Sequence, residues 1–267
     1  MPDYLLLLMQ KNNQMEFKSG NPVLSDKRFT GSVLDDIVIN ENAMTVRGTL
    51  NKFGFLFLMV MGTAFYAWKE FASGGNVQPL IWTGAIGGLI VALIITFRQT
   101  WAPYLAPAYA LLEGLFVGGI SAYYDYMFAA KAPYIIITAV GLTFGTAIAM
   151  YLLYAARIIR ATKKFKALIF TATAGIAVFY VISLVLRMFG IQVPFIHEGT
   201  AFGIGFSLFV VAIAALNLIM DFDMIERGAA SGAPKHMEWY GAFGLLVTIV
   251  WLYLEILRLL GKLSSRR

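Results

Sequence analysis

Asn217-Leu218-Ile219-Met220-Asp221-Phe222-Asp223-Met224-Ile225-Glu226 closes one long apolar run, and Trp251-Leu252-Tyr253-Leu254-Glu255-Ile256-Leu257-Arg258 lies inside the next. A spanning helix needs about 20 predominantly apolar residues, and both runs reach that length, so this stretch places the chain among helical membrane proteins. Its acids then need a reason. A carboxylate within or beside a membrane segment is expensive, and its default reading is an ion or proton site.

Working outward, the chain has 267 residues, 59% hydrophobic and 13% charged, which is too apolar for a soluble domain of that length. It contains no cysteine, so a disulfide framework, thiolate chemistry and a cysteine-based metal site are excluded. The only imidazoles are His197 and His236. The formal charge of +6 resides in Lys and Arg between apolar runs, where they orient helices, so no nucleic-acid partner is expected.

Seven runs stand out, at about 53 to 72, 79 to 98, 103 to 124, 133 to 156, 166 to 189, 199 to 222 and 240 to 261. Pro103, Pro107, Pro133 and Pro194, with the Ser-Gly-Gly-Asn stretch from Ser73 to Asn76, are read as breakers between spans. The connections are short, so residues 46–267 form one transmembrane domain. Residues 1–45 are polar and mixed in charge, and they are expected to form a mobile cytoplasmic arm. Leu5 to Met9 is too short for a span and lacks a basic flank, so no cleaved signal is expected; Met15 is a second candidate start.

Orientation follows the basic residues. Arg157, Arg160, Lys163, Lys164 and Lys166 cluster between spans 4 and 5, with Arg47, Lys52, Arg98, Arg227 and Lys235 on the same side, against Lys69, Lys131 and Arg187 opposite. The N-terminus is therefore placed in the cytoplasm and, with seven spans, the C-terminus outside. The basic tail Lys262, Arg266 and Arg267 argues for the alternative, a re-entrant seventh run with both termini cytoplasmic.

Helical phase sorts the polar residues, because positions three or four apart share a face. Asn217 and Asp221 form one stripe; Asp223 and Glu226 form another, followed by Arg227 at the surface. The second stripe reads as the aqueous end of span 6, whereas Asp221 is expected to look into the bundle. Glu255 has about sixteen residues of span 7 before it. It is either an ion pair with Arg258 three residues on or an acid facing the protein interior. Glu113 sits mid-span in Tyr109-Ala110-Leu111-Leu112-Glu113-Gly114, as a helix-tying hydrogen bond or a further buried acid, and Gly114 with Gly118 lets a neighbouring helix approach closely. Arg98 reads as a membrane-surface anchor or as counter-ion to an acid. Trp68, Trp82, Trp101, Trp239 and Trp251 lie mostly near span ends, as interfacial residues do. No Gly-x-Ser-x-Gly, His-Glu-x-x-His or phosphate-binding loop is present, so neither an enzyme nor a cofactor is expected.

Three strings of the last two spans, Phe202-Gly203-Ile204-Gly205-Phe206-Ser207-Leu208, Asn217 to Ile225 and Trp251 to Leu257, resemble the Bax-inhibitor (transmembrane Bax inhibitor motif) family, and its bacterial YccA-like branch in particular. Ser19 to Ser25, Met44-Thr45-Val46 and Tyr109 to Gly114 extend the resemblance over nearly the whole chain. It implies an all-α seven-helix membrane bundle with the last helix central, acting as a pH-sensitive leak for calcium or other cations. It also implies a carboxylate pair as pH sensor, with Asp221 and Glu255 at the matching positions and Arg98 as the arginine that latches the first acid. Glu255 stands where aspartate is usual.

Two carboxylates sharing a poorly solvated site cannot both ionise cheaply and titrate as a coupled pair. Their oxygens suit calcium, which would lie near Asp221 and Glu255. If both helices run unbroken from a turn midway between them, the acids meet about 25 Å beyond it. The expected protein is thus an inner-membrane cation leak whose partners are the lipid bilayer, calcium or other cations, and protons. The alternatives are a proton-coupled transporter using the same acids, or an interaction protein whose arm modulates a membrane protease.

Overall fold

The computed structural model describes residues 43–190 and 200–266. Among these, seven long helices follow one another: α1 (Val46–Ala72), α2 (Gln78–Phe97), α3 (Ala102–Phe128), α4 (Ile135–Ala155), α5 (Lys163–Met188), α6 (Ala201–Ala230) and α7 (Met237–Ser265). Each is long and apolar enough to cross a membrane, so the chain is a multi-pass, all-α membrane protein. The arm expected over 1–45 lies outside the described residues up to position 42, as do Pro194 and His197.

Helix limits differ from the apolar limits because helices begin at caps and end where hydrogen bonding stops, not where hydropathy changes. Thr45, Thr162 and Thr200 cap α1, α5 and α6, their hydroxyls accepting from the backbone N–H of Gly48, Phe165 and Gly203. Helix α1 therefore starts seven residues before the apolar run at 53. Helix α6 continues two turns past 222, carrying Asp223 and Arg227 as an i,i+4 ion pair on its polar end. Helix α7 is unbroken over 29 residues, which leaves no turn for a re-entrant hairpin.

Pro107 is not a breaker: it lies inside α3, after Pro103 in the first turn. Near a helix start proline removes one backbone bond, and bundled membrane helices tolerate that loss.

Helix α7 is the axis of the bundle. In its apolar window 61% of residues are buried, against 11 to 44% in the other six. It packs on α1, α3, α4 and α6, while α2 leans on α3 and α5 on α6. Helices α1 and α3 also approach closely. There Gly114 lies against the Val60 carbonyl and Thr63 hydroxyl, and Gly118 against the Ala64 backbone, so a Cβ at either glycine would run into α1.

Gly118→Leu is accordingly expected to push α1 off α3 and destabilise the fold by about 3 kcal/mol, the upper range for overpacking. A lowered thermal midpoint in detergent checks this, with Gly54→Leu, at a glycine that meets only open space, as the neutral control.

Candidate functional site

The antiparallel pairing of α6 and α7 sets the site. Gly241 lies against Ile225 and Gly244 against Met224; Thr248 faces Asp221; Lys262 reaches Gly203 and Ser207. These pairs keep one register from end to end, hinged near position 234. That hinge precedes the midpoint between the two acids, because α6 runs to Ala230 and α7 starts at Met237. Asp221 therefore stands opposite Thr248, not Glu255, and the two acids are offset by about 10 Å along α7. The same register sets Ala214, a small side chain, opposite Glu255.

Asp221 Oδ2 is buried and has no hydrogen-bond partner among the described residues. The Thr248 hydroxyl beside it donates to the Gly244 carbonyl at 3.2 Å. An acceptor in that position is costly unless something that carries a proton or a positive charge can reach it. A cleft of about 440 Å³ opens one turn away, lined by Asp223, Glu226, Tyr154, Arg157, Arg160 and Arg227 among others. Asp223 pairs there with Lys166 at 2.5 Å and with Arg227 at 2.7 Å. Glu226 accepts from the Tyr154 hydroxyl. The second acidic stripe thus marks the wet end of α6, whereas Asp221 faces α7 from the other side of the helix.

Glu255 is held differently. Its side chain is 2% exposed, and its two oxygens accept from Arg258 Nη1 at 2.8 and 2.9 Å. Tyr180 of α5 completes a triangle, donating to Glu255 Oε1 at 3.0 Å and accepting from Arg258 at 2.7 Å. The local ion pair and the inward-facing acid, alternatives in the sequence, are both present.

Asn217 ties α6 to α5, donating to the Thr173 hydroxyl and the Ile213 carbonyl, each at 2.8 Å. It does not share a partner with Asp221. Glu113 is partly buried, with its carboxylate against Gly88 of α2 and Tyr109 of its own helix. Arg98 is exposed at the cap of α2, and among the described residues no ion pair joins it to Asp221 or Glu255.

Two buried charges escaped sequence reading. Glu238, fully buried in the first turn of α7, accepts from the Thr45 N–H and hydroxyl at 2.9 Å each and pairs with Lys52 and with Lys235 at 3.1 Å. An acid in the first turn of the last helix was the available signal. Lys262, read as part of a basic tail, is 5% exposed; it donates to the Gly203 carbonyl at 2.9 Å and to Ser207 Oγ at 2.7 Å. Among the described residues no three acids or imidazoles converge as a ready-made metal site.

Across the chain, a family model described as Bax inhibitor 1 like matches residues 9–265. No curated protein matches it.

Tyr180→Phe deletes the hydroxyl shared by Glu255 and Arg258 and is expected to lower stability by about 2 kcal/mol, the range for hydrogen bonds to charged groups. Combined with Glu255→Gln, the loss is expected to be less than additive, as a double-mutant cycle of thermal midpoints would read.

Proposed function

The chain belongs to the Bax inhibitor 1-like family, and on that premise we propose that it is a pH-sensitive leak for cations, calcium among them, controlled by Asp221 and Glu255 on the α6–α7 interface. The single observation that carries this reading is the buried Asp221 oxygen left without a hydrogen-bond partner among the described residues. Ionised, Asp221 attracts a cation that has shed part of its water, and the Thr248 hydroxyl offers a further oxygen. Protonated, it attracts none. The cleft with Asp223 and Glu226 serves as the mouth, where acidic side chains raise the local cation concentration.

Glu255 acts as the second acid at a distance. Clamped by Arg258 and Tyr180, it keeps α5 and α7 together, and protonation would loosen that clamp. The two acids therefore communicate through α7 and its field, not by sharing a proton. A latch between Arg98 and Asp221 belongs, in this reading, to a second conformation in which α2 has moved. We further place the protein in the inner membrane with its N-terminus in the cytoplasm, a reading supported by the basic loop from Arg157 to Lys166.

Calcium-dye flux into proteoliposomes tests the proposal. Since ionised Asp221 is the attracting form, wild-type flux through it should be greater at neutral than at acidic pH. Asp221→Asn is expected to lower neutral-pH flux at least about tenfold, equivalent to about 1.4 kcal/mol, and to abolish the pH dependence. Glu255→Gln is expected to shift the pH profile without abolishing flux. Unchanged flux and pH profile in both variants would end the proposal.

A further inference from the structure

Three polar stations lie along one face of α7: Thr248 beside Asp221, then Glu255 with Arg258, then Lys262. They are spaced seven residues apart, about 10 Å each. Their charge changes in order, from an acid without a hydrogen-bond partner for its buried oxygen, through a neutralised ion pair, to a buried amine. Lys262 is satisfied by two neutral oxygens, the Gly203 carbonyl and Ser207 Oγ, and no carboxylate pairs with it among the described residues. Those oxygens belong to the first two turns of α6, where the helix dipole is positive. Among the described residues no acid pairs with the ammonium there, and Glu255 is hydrogen-bonded to Arg258.

A cation drawn to Asp221 and moving along this interface would meet a positive charge with no carboxylate hydrogen-bonded to it among the described residues before reaching the α6 N-terminal end. We propose that Lys262 is the charge barrier that closes this end of the α6–α7 route to cations. The inference rests on the cation-leak reading and deepens it by assigning the residue that limits the leak. In a weakly polar interior, like charges at contact distance repel far more strongly than in water, and rings of fixed charge set ion selectivity in pores by the same means. The two hydrogen bonds hold the amine in the interface instead of letting it reach out to the aqueous boundary.

Charge and tether are separated by two substitutions. Lys262→Gln removes the charge and keeps a donor for Ser207 or Gly203; Lys262→Arg keeps the charge. In proteoliposomes at neutral pH, Lys262→Gln is expected to raise calcium flux at least about tenfold over wild type, while Lys262→Arg leaves it near the wild-type value. Thermal midpoints of both variants, measured in detergent, confirm that they are folded. Equal rises in both variants would overturn the barrier and leave Lys262 a tether. Wild-type flux that responds to pH but is unaltered by Lys262→Gln would overturn the barrier and leave the leak standing. Absence of flux from wild type and from Lys262→Gln alike would overturn both.

Discussion

The polar side chains of α7 must find their partners inside the bundle, because this helix is the most buried of the seven and lipid supplies no hydrogen bonds. That requirement explains the contacts along its length. Glu238 is bound to Thr45 and Lys52 of the first helix region, and Tyr253 to Ser121 of α3 at 2.6 Å. Glu255 is bound to Tyr180 of α5, and Lys262 to α6. Sliding α7 by one turn would leave several of these groups unpaired at once. Each would then be left in a low-dielectric interior at a cost of about 1 to 3 kcal/mol or more. The register is therefore set by polar satisfaction more than by apolar packing, which lipid-like side chains leave nearly indifferent to position.

One group is not satisfied by this arrangement. The other acids of the last two helices are neutralised, Asp223 by Lys166 and Arg227, and Glu255 by Arg258, or accept from a tyrosine, as Glu226 does. Asp221 alone among them keeps a buried oxygen without a partner, and it does so one turn from the open cleft. A fold that gives the other acids of these two helices a partner and leaves this acceptor open has a site where a proton or a cation gains more than in water. The remaining helices serve as the frame: α1 and α3 close on each other through Gly114 and Gly118, and α3 and α7 are joined through the Ser121–Tyr253 hydrogen bond.

The bundle and its acids could be read before any coordinates, because crossing lipid demands long apolar runs and makes every interruption conspicuous. Seven runs became seven helices, with ends shifted by threonine caps and ion pairs that hydropathy does not see. Pro107 was misread because proline marks a break only where its missing donor and ring cannot be accommodated, and the start of α3 accommodates both. Lys262 was passed over because a lysine near a span end usually reaches for water; only the arrival of Gly203 and Ser207 beside it turns it inward.

Composition and spacing by themselves determined that this is a seven-helix membrane protein and that Asp221 and Glu255 are its conspicuous intramembrane acids; its resemblance to the Bax inhibitor family lay in its motifs. Tertiary structure alone decided which acid is held by an ion pair and which keeps a buried oxygen without a partner among the described residues. That outcome depends on how far α6 extends and where α7 begins, and a displacement of two turns moves a side chain by about 10 Å. It exchanges a carboxylate facing another carboxylate for one facing a threonine, and no spacing along a single chain contains that distance.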